Sequence, residues 1–169
     1  IMKKEYSLNR GLIVICFIIL MTLVVCIGHG QTKIDSLLQK VDTTESVEKL
    51  TALDTLTKQM IRENYPDQTK HLQEYVDLAK ELQEFDKMAS KSRFLIQQFI
   101  QKGETEKAFN YIDKMLSYKE HFKKKSSEAH LLLKRGGVYF SELNYKNAII
   151  DFNSAAPLFS AANDSIFAA

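Results

Sequence analysis

The chain has 169 residues, 23 Lys and Arg against 21 Asp and Glu, 45% apolar side chains, six Gly, two Pro, two Cys and no Trp. That composition suits one helical domain and excludes a collagen-like chain, a disulfide scaffold and a disordered tail. Residues 1–30 hold Lys3, Lys4 and Arg10 against Glu5, leaving 20 basic and 20 acidic residues from Gln31 onward. A body of zero formal charge is a poor nucleic-acid binder, because phosphate binding rests on a basic surface. Both cysteines, Cys16 and Cys26, fall in the apolar N-terminal stretch, so the body has no thiol for a disulfide, a zinc site or covalent catalysis.

Residues 11–28 carry no charge and follow Lys3, Lys4 and Arg10, the arrangement of a basic segment before the apolar core of an export signal. As a helix they would span about 27 Å, long for a signal peptide and just short of a comfortable membrane span. Gly28 and Gly30 put small residues at the positions a signal peptidase needs before Gln31, which favours cleavage over a retained anchor. Residues 1–30 are therefore read as a signal peptide or membrane anchor, touching the membrane through residues 11–28 if uncleaved. Either outcome leaves residues 31–169 on the outer side of the membrane, because the positive charges stay inside.

Beyond a short helix at residues 34–38, Asp42 and Glu45 have the spacing of a capping box, and Val47, Leu50, Leu53, Leu56 and Met60 then recur at helical spacing. Pro66 is expected as the first residue of the next helix, whose buried stripe is Leu72, Tyr75, Val76, Ala79, Leu82 and Phe85. A second hairpin runs from Met88 to Ile100 and from Glu104 to His121, turning at Gly103. A third runs from Ala129 to Leu143 and from Tyr145 to Ala162, turning at Asn144. The hairpins thus cover about 45–85, 88–121 and 128–162. No stretch alternates as a strand does.

The second and third hairpins superpose at a register of 40, which pairs Ala108 with Ala148, Ile112 with Phe152 and Phe99 with Tyr139. Gly136, Tyr139, Tyr145, Ala148, Phe152 and Ala155 follow the small-aromatic order of a tetratricopeptide repeat, which this chain resembles. The period is 40 rather than the usual 34, no Trp is present, and Glu120 and Ser160 stand where the closing Pro belongs. The resemblance implies an all-α, right-handed solenoid of antiparallel hairpins over residues 31–169, with a fourth repeat beginning at residue 165. In it Gly136 and Ala148 would mark close approaches of helix backbones. An export signal followed by such repeats resembles the N-terminal extracytoplasmic part of bacterial two-component sensor histidine kinases, and related repeats precede helix-turn-helix regulators.

His29 lies three residues from Cys26 within the N-terminal stretch, but none of the body's three histidines, His71, His121 and His130, lies three or four residues from another His or a Cys, so no local metal site is expected in the body. His71 and His121 read as solvated, Glu81 with Glu84 and Glu104 with Glu106 as solubilising pairs, and Lys123, Lys124 and Lys125 as complements to the dipole of a helix C-terminus. No catalytic, cofactor or metal residue is assigned. The resemblance implies binding of a protein or peptide on a concave face lined by the first helix of each hairpin. Its outward positions include Arg93, Gln97 and Gln101 on one helix and His130, Leu133, Gly137 and Ser141 on the next. The expected function is a non-catalytic, exported interaction module in the sensory or scaffolding region of a membrane-bound signalling protein, with any kinase domain downstream. The alternatives are a free-standing exported or anchored adaptor, or the N-terminal region of a helix-turn-helix regulator.

Overall fold

The computed structural model describes Ile15 and residues 33–162. Over these residues the fold is all-α: a helix through residues 33–43 (α1), then α2 (Ser46–Arg62), α3 (Gln68–Glu81), α4 (Phe85–Gln101), α5 (Thr105–Leu116), a 3-10 turn at Lys119–His121, α6 (Lys125–Ser141) and α7 (Tyr145–Ala161). Among the described residues no helix is long and apolar enough to cross a membrane, and none is in a strand. The apolar segment 11–28, apart from Ile15, and the start of a fourth repeat at residue 165 lie outside the described residues.

The helices form where apolar side chains recur at three- and four-residue spacing. In α5, Ala108, Ile112 and Met115 are buried, and in α2 Leu50, Leu53, Leu56 and Met60 are buried while Val47, in the first turn, is exposed. Consecutive helices from α2 to α7 pack on one another, and α4 also packs on α6, so α4 and α6 lie side by side. One core runs from Ile34 and Val41 of α1 through α5 to Leu131 and Val138 of α6. A smaller one joins Ala129 and Leu132 of α6 to Ala155 and Phe159 of α7.

The register of 40 is visible in the backbone. α4 and α6 each have 17 residues and begin at Phe85 and Lys125, and α5 and α7 begin at Thr105 and Tyr145. The turns match as well: Gly103 at φ 71° and Leu143 at φ 59° hold the left-handed conformation just past α4 and α6. In each case the next N–H reaches back to a carbonyl five residues earlier, Glu104 to Phe99 and Asn144 to Tyr139, both at 2.9 Å. These are Schellman closures, and Gln83 after α3 and Asn64 after α2 make the same one.

Several local expectations are corrected. The capping box does not form: α1 continues through Asp42 and Thr43, Glu45 becomes the N-cap of α2 without a side-chain hydrogen bond, and the Thr43 and Thr44 hydroxyls donate back to carbonyls of α1. Pro66 lies in the turn before α3, whose N-cap is Asp67. Lys123, Lys124 and Lys125 stand at the N-terminus of α6, with Lys124 as its N-cap, where the helix dipole disfavours cations. The carboxylate of Asp86, in the first turn of α4, meets them, accepting from the N–H of Lys123 at 3.1 Å and of Lys124 at 3.3 Å and from Ser127 Oγ at 2.6 Å. His71 is not solvated: its side chain is 12% exposed, with Nδ1 3.4 Å from Glu74.

Gly136 is buried, but a side chain and not a backbone crowds it. A Cβ there would stand 2.5 Å from Cε1 of Phe152, whereas one at Gly137 would meet nothing within 4 Å. Ala108, Ala148 and Ala155 are buried, and Tyr139 packs its ring 4.6 Å from Phe109. Tyr145 is half exposed and meets Phe140 edge-on at 5.4 Å. With Leu143, Ile149 and Ile150 these two leave an apolar surface open on α6 and α7.

Candidate docking groove

A cavity of about 600 Å³ lies between α2, α4 and the start of α6. Leu50, Thr51, Asp54 and Lys58 line it from α2, Ser90, Lys91, Arg93 and Phe94 from α4, and Lys124, Ser126, Ser127 and His130 from α6. Ser90, Arg93 and Phe94 reach the cavity from beside the buried stripe of α4, whereas Lys91 reaches it from within that stripe.

Its floor is a buried ion pair. Lys91, 5% exposed, occupies a position within the apolar stripe of α4, between Met88 and Leu95. Its Nζ lies 3.0 Å from Asp54 Oδ1 and donates to Thr57 Oγ1 at 2.8 Å, with the Tyr75 ring 5.2 Å away. Lys58 holds the other Asp54 oxygen at 2.7 Å. Burial pushes the Lys91 ammonium below its ordinary pKa, against the opposing pull of Asp54. Burial alone would raise Asp54, but hydrogen bonds from Lys58 and Lys91 prevail and hold it below the usual carboxylate range. Tyr75 is pushed up to about 12, chiefly by burial.

The groove is therefore basic in what it leaves open. It is lined by five Lys and Arg and two carboxylates, and both carboxylates are committed: Asp54 to Lys58 and Lys91, and Asp86 to the start of α6. Arg93 is half-buried, its Nε donates to the Ser90 carbonyl at 3.3 Å, and no described carboxylate lies within ion-pair distance; burial holds its pKa down. One turn on, Gln97 accepts from Lys134 Nζ of α6 at 2.7 Å. Lys134 likewise lacks a described carboxylate partner, and burial first, then the nearby charge of Arg93, lowers its pKa.

Of the residues the sequence placed on the concave face, the structure brings Arg93 and His130 into the cavity lining and sets Gln97 beside them. The half-buried His130 ring meets Phe159 edge-on at 4.8 Å, so it forms wall more than floor. Gln101 is exposed at the last position of α4. Ser141, at the end of α6, is exposed and donates to the Val138 carbonyl. Both stand away from the cavity lining. Sequence reasoning missed Lys91, whose place inside an apolar stripe was the available signal, and Lys134, which lies next to the expected Leu133.

Elsewhere, Arg135 joins three helices. Its Nε and Nη2 grip Asp151 of α7 at 2.8 Å each, and its Nη1 reaches Asp113 of α5 at 2.7 Å. The Asp151 side chain is 4% exposed, and its hydrogen bonds, with burial opposing and Asp113 helping, raise the Arg135 pKa. Among the described residues no group of three or more His, Cys, Asp or Glu is placed to hold a metal ion. No protein-family model, no curated protein and no solved structure matches the chain.

Proposed function

We propose that residues 31–169 form a tetratricopeptide-like solenoid that works by binding a protein or peptide in the groove between α2, α4 and α6, without catalysis of its own. In this reading the chain is exported, and it is the sensory or scaffolding N-terminal region of a membrane-bound signalling protein of the histidine-kinase type. The observation that carries the binding role is the groove itself: a cavity whose carboxylates are already paired while Arg93 in its lining, and Lys134 on Gln97 one turn along α4, keep donors for a ligand. The 40-residue offset between α4–α5 and α6–α7 supports the solenoid, since a repeated hairpin with a repeated turn stacks by a repeated rotation. The open apolar surface of Phe140, Tyr145 and Ile149 supports a further helix stacking there, because Phe109, at the register position of Ile149, is covered by Tyr139 in the same way.

The test is to select peptides from a random display library on the full chain in mild detergent. Binding is then remeasured on Ser90→Trp, which fills the groove from an exposed position. Selected peptides should lose affinity by roughly tenfold or more on the filled variant. Peptides that bind the filled variant equally well would refute the groove as the binding site.

A further inference from the structure

Resting on the reading of the groove as a peptide site, we propose that its occupant is an extended segment carrying a run of acidic side chains. These carboxylates would lie along Lys124, Arg93 and Lys134, with an apolar neighbour against Phe94. Three observations lead there. First, the chain has already answered each carboxylate of the groove: Lys58 and Lys91 close on Asp54, and the first N–H groups of α6 with Ser127 close on Asp86. Arg93 and Lys134 have no such partner among the described residues, although both are half-buried and the Lys134 Nζ is held 2.7 Å from Gln97, one helical turn along α4 from Arg93. Two partly desolvated like charges held together are an unfavourable arrangement that a bound anion relieves.

Second, the cations are spread along the groove and not gathered at one point. Lys124 and Lys134 are ten residues apart, about 15 Å along α6 and about 80° around it. An extended peptide covers that length in about five residues at roughly 3.3 Å each, so the spread fits several acidic side chains better than one terminal carboxylate. Third, Phe94, in the cavity lining with Arg93, is 41% exposed, which adds apolar contact area to a surface rich in charged and polar side chains. Electrostatic complementarity of this kind selects partners by charge and makes their binding salt-dependent.

The experiment uses fluorescence anisotropy on the full chain in mild detergent. The probes are a short labelled peptide with Asp and Glu between Leu and Phe, amidated at its C-terminus, its Asn/Gln counterpart, and a non-acidic peptide with a free C-terminal carboxylate. The acidic peptide should bind roughly tenfold or more tightly than the Asn/Gln peptide and weaken as salt rises. Arg93→Gln with Lys134→Gln should abolish that preference, while Lys107→Gln on exposed α5 should keep it; Lys134→Met alone, with a melting curve, separates lost charge from lost fold. Equal binding of the acidic and Asn/Gln peptides would overturn the acidic preference and leave the peptide groove standing. Preference for the free-carboxylate peptide would overturn the acidic run in favour of terminus capture. Stronger binding of a single-stranded oligonucleotide would overturn both the peptide assignment and the reading beneath it.

Discussion

Phe152 of α7 lies so close over Gly136 of α6 that a methyl group on that glycine would stand 2.5 Å from the ring. Gly136→Ala should therefore destabilise the chain by about 1 to 3 kcal/mol, and Gly136→Leu by more, through overpacking of the α6–α7 crossing. Gly137→Ala, one residue on and with open space around it, should be neutral or stabilising by about 0.5 to 1 kcal/mol, since it removes a glycine from a helix interior. Urea melts of the three variants check the contrast, and an unchanged midpoint for Gly136→Leu would contradict the packing described.

Leu143 holds a left-handed turn at φ 59° while 71% exposed, so its side chain gains little there and its backbone is strained. Leu143→Gly should stabilise the chain by about 1 kcal/mol. The reverse change at the matching turn, Gly103→Ala, should cost about 1 kcal/mol although nothing lies within 4 Å of the new methyl. Thermal melts should move in opposite directions for the two variants; movement in the same direction would dismiss the strain argument.

Asp151 is buried on the guanidinium of Arg135. Arg135→Ala strands that carboxylate and should cost about 3 to 5 kcal/mol, less whatever water reaches the 24% exposed arginine side. Arg135→Ala with Asp151→Ala should recover part of the loss. A double variant as unstable as the sum of both single variants would show the pair to be uncoupled.

Asp54 and Glu74 are both held below their ordinary values, each against an opposing burial effect, Asp54 by Lys58 and Lys91 and Glu74 chiefly by Lys49. For a depressed carboxylate the stabilisation is complete above the unfolded-state pKa and fades as pH falls through the folded one. Stability should accordingly drop below about pH 4. At the other limit Tyr75 and Tyr111 are raised to about 12, mainly by burial. Between their ordinary 10.0 and about 12 the unfolded chain loses phenol protons that the folded chain keeps, so stability falls with rising pH; Lys91, whose pKa is lowered, acts in the other direction but below its ordinary 10.5. Denaturation followed against pH should show Tyr75→Phe flattening the alkaline limb; an unaltered limb would remove Tyr75 from the account.

What the sequence makes legible is what repeats locally. The 40-residue repeat of α4 in α6 follows from apolar periodicity and the turns at Gly103 and Asn144 from residues suited to helix ends, but the helix starts do not: Phe85, expected in the stripe of α3, opens α4 three residues before Met88, and α6 opens at Lys125, four residues before Ala129. What it hides depends on partners far along the chain. Lys91, inside an apolar stripe, has no local partner in the sequence; the groups that close on it, Asp54 and Thr57, lie 37 and 34 residues earlier. The three lysines before Ser126 read as the end of one helix because the group that makes them tolerable at the start of another is Asp86, a hairpin away. The capping box at Asp42 fails for a similar reason: α1 runs on through Asp42 and uses the residues that were to begin α2. In the groove, Arg93 and Gln97 were legible from their four-residue spacing, whereas Lys134 joins them only through the contact of α4 with α6.

The carboxylate of Asp86 also gives the chain a direction of assembly. It sits in the first turn of α4 and at the same time satisfies the leading N–H groups of α6, whose own lysines oppose the start of a helix. α6 thus begins under favourable electrostatics only once α4 is in place to receive it. A ribosome delivers α4 first, so the earlier hairpin emerges as a template on which the later one nucleates, and growth from the N-terminal side is the order that never exposes the three lysines to an unanswered helix dipole.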